Sequence, residues 1–561
     1  MTDIAGGRLV VDLLRAEHVQ YIFGIVGATF LDVLDALYDD HGVEYINVRH
    51  EQAAAFMADG LARVTGRPGV CLVTSGPGAT NLLTGVAAAY VAHSPVVSLV
   101  GGIERAHQGK DAFQEFDLLG MFRPVTKLAV QVNQVERIPE MLRAALRTAM
   151  SGRRGPVLVE IPRDVLSDRL SPAAATVVPA GYRTTHAPPP HPDAIREAAR
   201  LLGQAQRPLL LVGGGVSWAE ASDLVVRLSE QGAIPMITAY GRNDAVPNAH
   251  PLYVGPLGRA GSPEAAAACR RADLILAVGS RLAHFTTHFD HRYIAPGTAI
   301  VQIDIDGRDI GRYYPVAVGI QADAGAACQA LLEALTRDGA RPASPEWRKE
   351  AEALREQRQA RLAAEARLSA TPMKPQRVYA ELRRALAPDT IVALDAGAAP
   401  AYGYDRLQFA LARTFLTPLD LGGLGFAFPE ALGAKLGRPE APVLAIHGDG
   451  GFLMNAQEIE TAVRHGINVV TLVMNNNCWG SEKAYQRQFF GGRYIGCDIG
   501  NPRYDEFARL FGAAGFYVEH PDQVGDVMKA AFAAGTPAIV EVPIDPDELP
   551  TPVAAIRPSR A

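Results

Sequence analysis

Three consecutive open, mainly parallel-sheet α/β domains are what this 561-residue sequence predicts, on three observations. Apolar, β-branched runs alternate with helix-like patterns along the whole chain, the rhythm of parallel strands joined by crossover helices. Several of those runs end in glycine or an acid, where open sheets form ligand-binding turns. Two stretches break the rhythm. Residues 169–192 are rich in Pro and Ala, with Pro188-Pro189-Pro190 near the end. Residues 338–376 open as a Pro-containing loop, run as a charged helix from Glu346 to Leu368, and then meet Pro372 and Pro375. The expected division is a domain over 1–170, a linker over 171–192, a central domain over 193–338, a linker and helix over 339–371, a third domain over 372–545 and a tail over 546–561. A chain of this length exceeds what one core supports, and each block has an ordinary domain size.

In the first block, a strand over Tyr45–Val48 leads into Arg49-His50-Glu51-Gln52 at a helix start. A second strand, Val70–Val73, leads into Ser75-Gly-Pro-Gly-Ala-Thr-Asn81. The central block has strands over Leu209–Val212, followed by Gly213-Gly-Gly215, over Leu274–Val278, ending in Gly279, and over Ile300–Ile305, ending in Asp306. The Gly213 turn could cradle the phosphates of FAD or a CoA ester. Its spacing is not GxGxxG, so a tight strand-to-helix turn is the expectation and FAD is not predicted. The third block has Ile391–Leu394 followed by Asp395-Ala-Gly397.

Its most informative stretch follows. Strand Val443–Ile446 enters Gly448-Asp449-Gly450, 24 residues intervene, and strand Val469–Met474 reaches Asn475-Asn476. Asn455-Ala-Gln-Glu458 reads as a helix start with a capping box, and Gly466 as its end. An acid and an amide thus sit at the carboxyl tips of two parallel strands, beside a helix N-terminus that favours anions. Oxygen ligands of this kind suit Mg²⁺ and leave room for phosphate oxygens. The unit reads as a Mg²⁺–diphosphate clamp.

Bulk properties exclude other classes. A net charge of −6 invites neither nucleic acid nor an anionic membrane. No apolar run has the length of a membrane span, and the N-terminus lacks the pattern of a secretory signal. The five cysteines, at 71, 269, 328, 478 and 497, form no CxxC pair, which fits a reducing cytoplasm.

The segment from Gly448 to Asn476 resembles the diphosphate-binding motif of thiamine diphosphate (ThDP) enzymes. The resemblance implies Mg²⁺ ligands from the Asp449 carboxylate, the Asn476 side-chain oxygen and the Cys478 backbone carbonyl. It implies cofactor contacts from Gly397, Ala398, Gly448, Gly450, Gly451, Asn476, Trp479 and Gly480. Leu424, in Gly422-Gly-Leu-Gly-Phe-Ala-Phe-Pro429, stands where the family puts the apolar side chain that bends the cofactor; a plain core leucine is equally compatible. Glu51 stands where the family puts the acid that contacts N1′ of the aminopyrimidine, with Gly27, Thr74, Gly78 and Asn81 beside it. The family fold has pyrimidine-binding, central and diphosphate-binding domains in that order. One subunit's pyrimidine domain faces another's diphosphate domain, so the resemblance implies a homodimer or homotetramer with sites at the interface.

Ser75–Asn81 and Asp111-Ala-Phe-Gln-Glu115 are similar to acetolactate synthase, with Gln114 on the substrate side. Tyr485 stands where those enzymes carry Trp. Three other stretches resemble sulfoacetaldehyde acetyltransferase: Phe23-Gly-Ile-Val-Gly-Ala-Thr-Phe-Leu-Asp32, Asn243-Asp-Ala-Val-Pro through Gly255-Pro-Leu-Gly258, and Trp479-Gly-Ser-Glu-Lys483. Lys483 and Arg487 could meet an anionic substrate there, or be solvated lid charges. His50, Gln114, Ser481, Glu482 and Tyr485 are candidate catalytic proton relays. The implied function is ThDP- and Mg²⁺-dependent cleavage or formation of C–C bonds next to the carbonyl of a small molecule. Alternatives are sulfoacetaldehyde acetyltransferase, a 2-hydroxyacyl-CoA or 2-hydroxy ketone lyase, and a catalytically idle ThDP-binding paralogue.

Overall fold

The computed structural model describes residues 3–170, 179–184, 186–338 and 343–550; the linker positions 171–178, 185 and 339–342 and the tail from 551 lie outside the described residues. Three six-stranded parallel sheets follow one another along the chain. The first contains β1 (Tyr21–Gly24), β2 (Glu44–Asn47), β3 (Gly69–Thr74), β4 (Val96–Gly102), β5 (Leu128–Gln131) and β6 (Val157–Pro162), in spatial order β2-β1-β3-β4-β6-β5. The second contains β7 (Pro208–Val212), β8 (Met236–Thr238), β9 (Tyr253–Pro256), β10 (Leu274–Val278), β11 (Ala299–Asp304) and β12 (Val318–Gln321), in order β9-β8-β7-β10-β11-β12. The third contains β13 (Ile391–Leu394), β14 (Phe415–Leu416), β15 (Val443–Gly448), β16 (Val470–Asn475), β17 (Ala514–Tyr517) and β18 (Ala538–Pro543), in order β14-β13-β15-β16-β18-β17. An antiparallel two-residue pair, Ile4–Ala5 with Arg169–Leu170, ties the ends of the first domain together.

The strands form where the sequence is continuously apolar because helices cover both faces of each sheet. β6 is buried along its whole length, as are β7 and β10. The first and third sheets share one strand order, whereas the central sheet has the order in which successive strands run outward from a midpoint. There β7 and β10 are neighbours whose chains depart in opposite directions, which opens a crevice at their carboxyl ends.

The first and third domains share a core. The helix Glu51–Thr65 crosses the helix Ala427–Gly437 at backbone contact. A Cβ placed on Gly433 would lie 1.9 Å from the Met57 carbonyl oxygen, and one on Gly60 would lie 2.1 Å from that of Glu430. Around the crossing, Phe56 meets Phe426 edge to face at 5.4 Å, in a cluster that runs from Val73 to Val443. Arg63 reaches Glu430 at 3.3 Å and Asp59 at 3.8 Å inside this contact, and burial pushes both carboxyls up.

Two sequence expectations need correction. The helix after Asp449 does not start with a capping box at Asn455. A short helix already runs over Asp449–Phe452, and the next begins at Glu458 and ends at Arg464. The Asn455 amide donates instead to the Gly425 carbonyl, and the Glu458 carboxylate accepts from the Arg49 N–H and the Thr461 hydroxyl. Gly466 does follow the helix end, with φ +63°. The charged helix spans Pro345–Glu365, three residues short of Leu368, with the Ser344 hydroxyl accepting from the Trp347 N–H.

Gly433→Val is expected to force the two crossing helices apart at a cost of about 1–3 kcal/mol or more, the range for overpacking. Differential scanning calorimetry should show a lowered midpoint for the first and third domains; an unchanged midpoint would contradict the close crossing.

Candidate active site

Parallel pairing sets the geometry of the third domain's half-site. Gly448 on β15 lies beside Met474 on β16, so the residues that follow each strand emerge side by side. Asp449 opens the short helix and is buried, which pushes its carboxyl up to about 6 despite the hydrogen bonds it accepts. Asn501 donates to Asp449 Oδ2 at 2.8 Å, and the Tyr504 hydroxyl donates to the Asp449 carbonyl at 3.1 Å. The inward-facing end of the Asn476 amide lies 3.1 Å from the Cys478 carbonyl oxygen and 3.2 Å from Asp449 Oδ1. Nitrogen inward, the amide donates to both. Oxygen inward, three oxygens face one another with no proton between them, an arrangement that calls for a cation. Their spacing approaches the edge of about 3 Å expected between neighbouring ligands of octahedral Mg²⁺. Among the described residues no cluster of three His, Cys, Asp or Glu suits a metal. One carboxylate, one amide and one carbonyl form a hard, sparsely charged donor set that fits Mg²⁺ with phosphate completing its shell, and not zinc.

Gly397, Ala398, Leu424, Gly448, Asp449, Gly450, Gly451, Asn476, Cys478, Trp479, Gly480, Ser481, Glu482 and Tyr485 line one cavity of about 280 Å³. Two glycines there leave no room for a side chain. A Cβ on Gly450 would meet the Trp479 ring at 2.6 Å, and one on Gly451 would meet Asp395 Oδ2 at 2.3 Å. Asp395, fully buried, accepts from the Gly425 and Phe426 N–H groups and pairs with His447 Nδ1 at 2.8 Å. It thereby fixes the loop that presents Leu424. Asp395 and Asn501 were not among the sequence candidates. Asp395 carried a signal, an acid at a strand tip; Asn501 sits in a Gly-Asn-Pro loop that carried none.

The first domain assembles a separate half-site. Glu51, buried at its helix start, accepts from the Asn81 amide at 3.0 Å, and Gly78 lies against the same carboxylate. Thr74 donates to Gln114 Oε1 at 3.0 Å, shares a hydrogen bond with Thr29, and closes against Gly27. The His50 Nδ1 accepts from the Gln52 N–H, so the imidazole caps the helix. Phe113 and Phe116, either side of Gln114, are 87% and 61% exposed. Among the described residues, none from the first domain lines the cavity at Asp449.

Lys483 and Arg487 do not face that cavity. Lys483 pairs with Asp498 at 3.0 Å, and the exposed Arg487 donates to the Asp547 carbonyl at 2.9 Å, so both hold neighbouring segments. The arginine that does line the cavity is Arg259, from the central domain. In that domain the glycine turn is tight, with a Cβ on Gly215 only 2.7 Å from the Gly279 Cα. The turn borders a crevice of about 330 Å³ that also receives Arg153, Arg242 and Arg281.

With the clamp, the buried acid and the three sheets in view, family comparison assigns the chain. It belongs to the thiamine pyrophosphate (ThDP) enzyme family: the N-terminal TPP-binding domain matches residues 4–121, the central domain 195–331 and the C-terminal TPP-binding domain 395–542. It is therefore a ThDP-dependent enzyme. The probable acetolactate synthase large subunit of Methanocaldococcus jannaschii is 37% identical, over 97% of this chain and 92% of that protein. The acetolactate synthase large subunit of Haemophilus influenzae is 34% identical, over 98% and 96%. The sulfoacetaldehyde acetyltransferase of Alcaligenes xylosoxydans is also 34% identical, over 93% and 89%.

Asn501→Ala removes the donor that orients Asp449. It should weaken Mg²⁺-dependent ThDP binding by about 10–100-fold, the usual effect of losing a group that orients a metal ligand. Calorimetric titration with ThDP at fixed Mg²⁺ reads this directly, and unchanged affinity would refute it.

Proposed function

We propose that this chain is a Mg²⁺- and ThDP-dependent, acetolactate synthase-like enzyme that breaks and makes C–C bonds beside the carbonyl of a small 2-oxo acid. The convergence of the Asp449, Asn476 and Cys478 oxygens at the tips of β15 and β16 carries this reading. Bound ThDP supplies a nucleophilic carbon for attack on a carbonyl. The chain's own residues hold and tune it. The three oxygens would hold Mg²⁺, and Gly448, Gly450 and Gly451 would allow close backbone approach by the diphosphate at a helix N-terminus. Leu424 would pack beneath the cofactor, and Gly397, Ala398, Trp479 and Gly480 would wall it. Glu51, oriented by Asn81, holds the proton at the aminopyrimidine N1′, and Gly27, Thr74 and Gly78 shape the surface around it. Ser481, Glu482, Tyr485, Gln114 and His50 are the groups available to move a proton at the reacting carbon.

The separation of the two half-sites within one chain supports a homo-oligomer in which the Glu51 half of one protomer closes the Asp449 half of another. The exposed Phe113 and Phe116 suit such an interface. No described helix is long and apolar enough to cross a membrane, and all five cysteines are free and buried, which supports a cytoplasmic home.

A second reading, transfer of an acetyl group from sulfoacetaldehyde to phosphate, is favoured by Tyr485 at the cavity wall and by the 34% identity to an enzyme of that name. A substrate panel on the loaded enzyme separates the two. Acetolactate from pyruvate supports the first, and acetyl phosphate with sulfite from sulfoacetaldehyde supports the second. Products from neither would leave a lyase or an idle paralogue. Bound flavin released on denaturation would identify the occupant of the central crevice.

Glu51→Gln should lower kcat by about 10²–10⁴-fold, the range for losing an acid–base group, while ThDP still binds by calorimetry. Near-parental turnover would remove Glu51 from the mechanism. Asp449→Ala should abolish the part of ThDP binding that EDTA removes from the parent; binding that stays EDTA-sensitive would move the metal elsewhere.

A further inference from the structure

Arg259 is a cation that the fold fixes in place and leaves without an acid. It follows Gly258, whose φ is +106° and whose Cβ would lie 2.1 Å from the Phe285 carbonyl oxygen, so only glycine permits the turn. The Arg259 N–H donates to that same carbonyl at 2.8 Å. The side chain lies over the Phe285 ring at 4.8 Å and ends 3.5 Å from the Tyr485 hydroxyl, at the limit of a hydrogen bond. It borders the cavity that contains Asp449 and also an adjoining chamber of about 510 Å³, which shares Ser481 and Tyr485 as walls. Two other arginines line that chamber, and both are neutralised. Arg361 pairs with Glu264 at 2.8 Å and Asp405 at 2.7 Å, and Arg406 pairs with Glu365 at 2.6 Å. Among the described residues no carboxylate lies within ion-pair distance of Arg259, although Glu482 shares its cavity.

A half-buried guanidinium held over an aromatic face, with most of its donors unused, is an oxyanion receptor. We propose that Arg259 is the specificity-determining residue that takes the anionic end of the substrate, a carboxylate, sulfonate or phosphate, and holds the carbonyl end toward the Asp449 cavity. This rests on the carbonyl chemistry proposed above for the same site. It assigns to the central domain a role the glycine turns do not describe: reading the charge of what reacts.

The test uses the full chain with two variants, Arg259→Gln and Arg259→Lys. On ThDP-free protein, saturation-transfer NMR reads binding of pyruvate and sulfoacetaldehyde, and 31P line broadening reads binding of inorganic phosphate, each separately and without turnover. On Mg²⁺/ThDP-loaded enzyme, steady-state kinetics compare the anion that binds with a neutral aldehyde that serves as both donor and acceptor, so that no anionic reactant enters the second assay. The expected result is that Arg259→Gln loses the binding signal and raises KM for the anionic substrate by about 10–100-fold, as for a lost charge-assisted contact. Arg259→Lys should keep part of both, and the neutral aldehyde should change by less than about 2-fold. Which of the three anions loses its signal identifies the source of the negative charge. Equal anion binding by parent and Arg259→Gln, no anion binding by the parent, or an equal loss with the neutral aldehyde would each overturn the assignment. Anion binding that depends on Arg259 in a chain that turns over none of the panel would uphold it while rejecting the proposed reaction.

Discussion

The pairing of β15 with β16 is the constraint on which the rest of the site depends. Parallel strands in one register deliver their following residues to one height above the sheet, and side-chain period two leaves no tolerance for slippage. A slip of one residue would turn Asp449 away from Asn476 and scatter the three oxygens. The register is itself over-determined. β15 is also paired to β13 and β16 to β18, so neither can move alone. The loops around the tips are pinned from beneath: Asp395 binds the N–H groups at Gly425 and Phe426, and Asn501 bridges Asp449, Asn475 and Asn477. Asp395 and Asp449 are buried and hydrogen-bonded, which makes that part of the network rigid.

The same logic governs how the first and third domains meet. Their helices cross at Gly60 and Gly433 with backbone against backbone, a distance that larger residues forbid. The contact holds Arg63 between two carboxyls that burial drives toward the neutral form. Burial opposes ionisation of both carboxyls, and the positive charge of Arg63, joined at Asp59 by that of Arg242, works against that shift. The crossing fixes the helix that Glu51 begins, and the Glu458 carboxylate seals its entrance by accepting from Arg49. The acid's position is thus set by the third domain even though it does not share the third domain's cavity.

The strands, and the acid and amide at their tips, were legible in the sequence because they obey local rules: continuous apolar runs where both sheet faces are covered, and polar side chains where parallel strands end. Gly466 marked a helix end for equally local reasons. What the sequence hid was long-range. Asn455 and Glu458 have the spacing of a capping box, yet their side chains are claimed by Gly425 and Arg49, which are distant in the chain. Lys483 and Arg487 looked available for substrate on a helix beside the clamp, but Asp498 and the carbonyl of Asp547 meet them first. Arg259 and Asn501 lie in turns without periodicity, and only tertiary structure brings them to the cavity.

The turn that carries Arg259 belongs to a domain whose strands contribute nothing to the Asp449–Asn476 pair, so selection can rewrite one without disturbing the other. Coenzyme handling is written into the first and third sheets, and the choice of reactant into a short surface turn of the second. Whole-length similarity is dominated by the former. Whole-length identities of 37% and 34% to synthase large subunits and of 34% to a sulfoacetaldehyde acetyltransferase are the outcome such a division of labour produces, and exchanging a handful of residues around Gly258 is the economical route by which this scaffold would diversify.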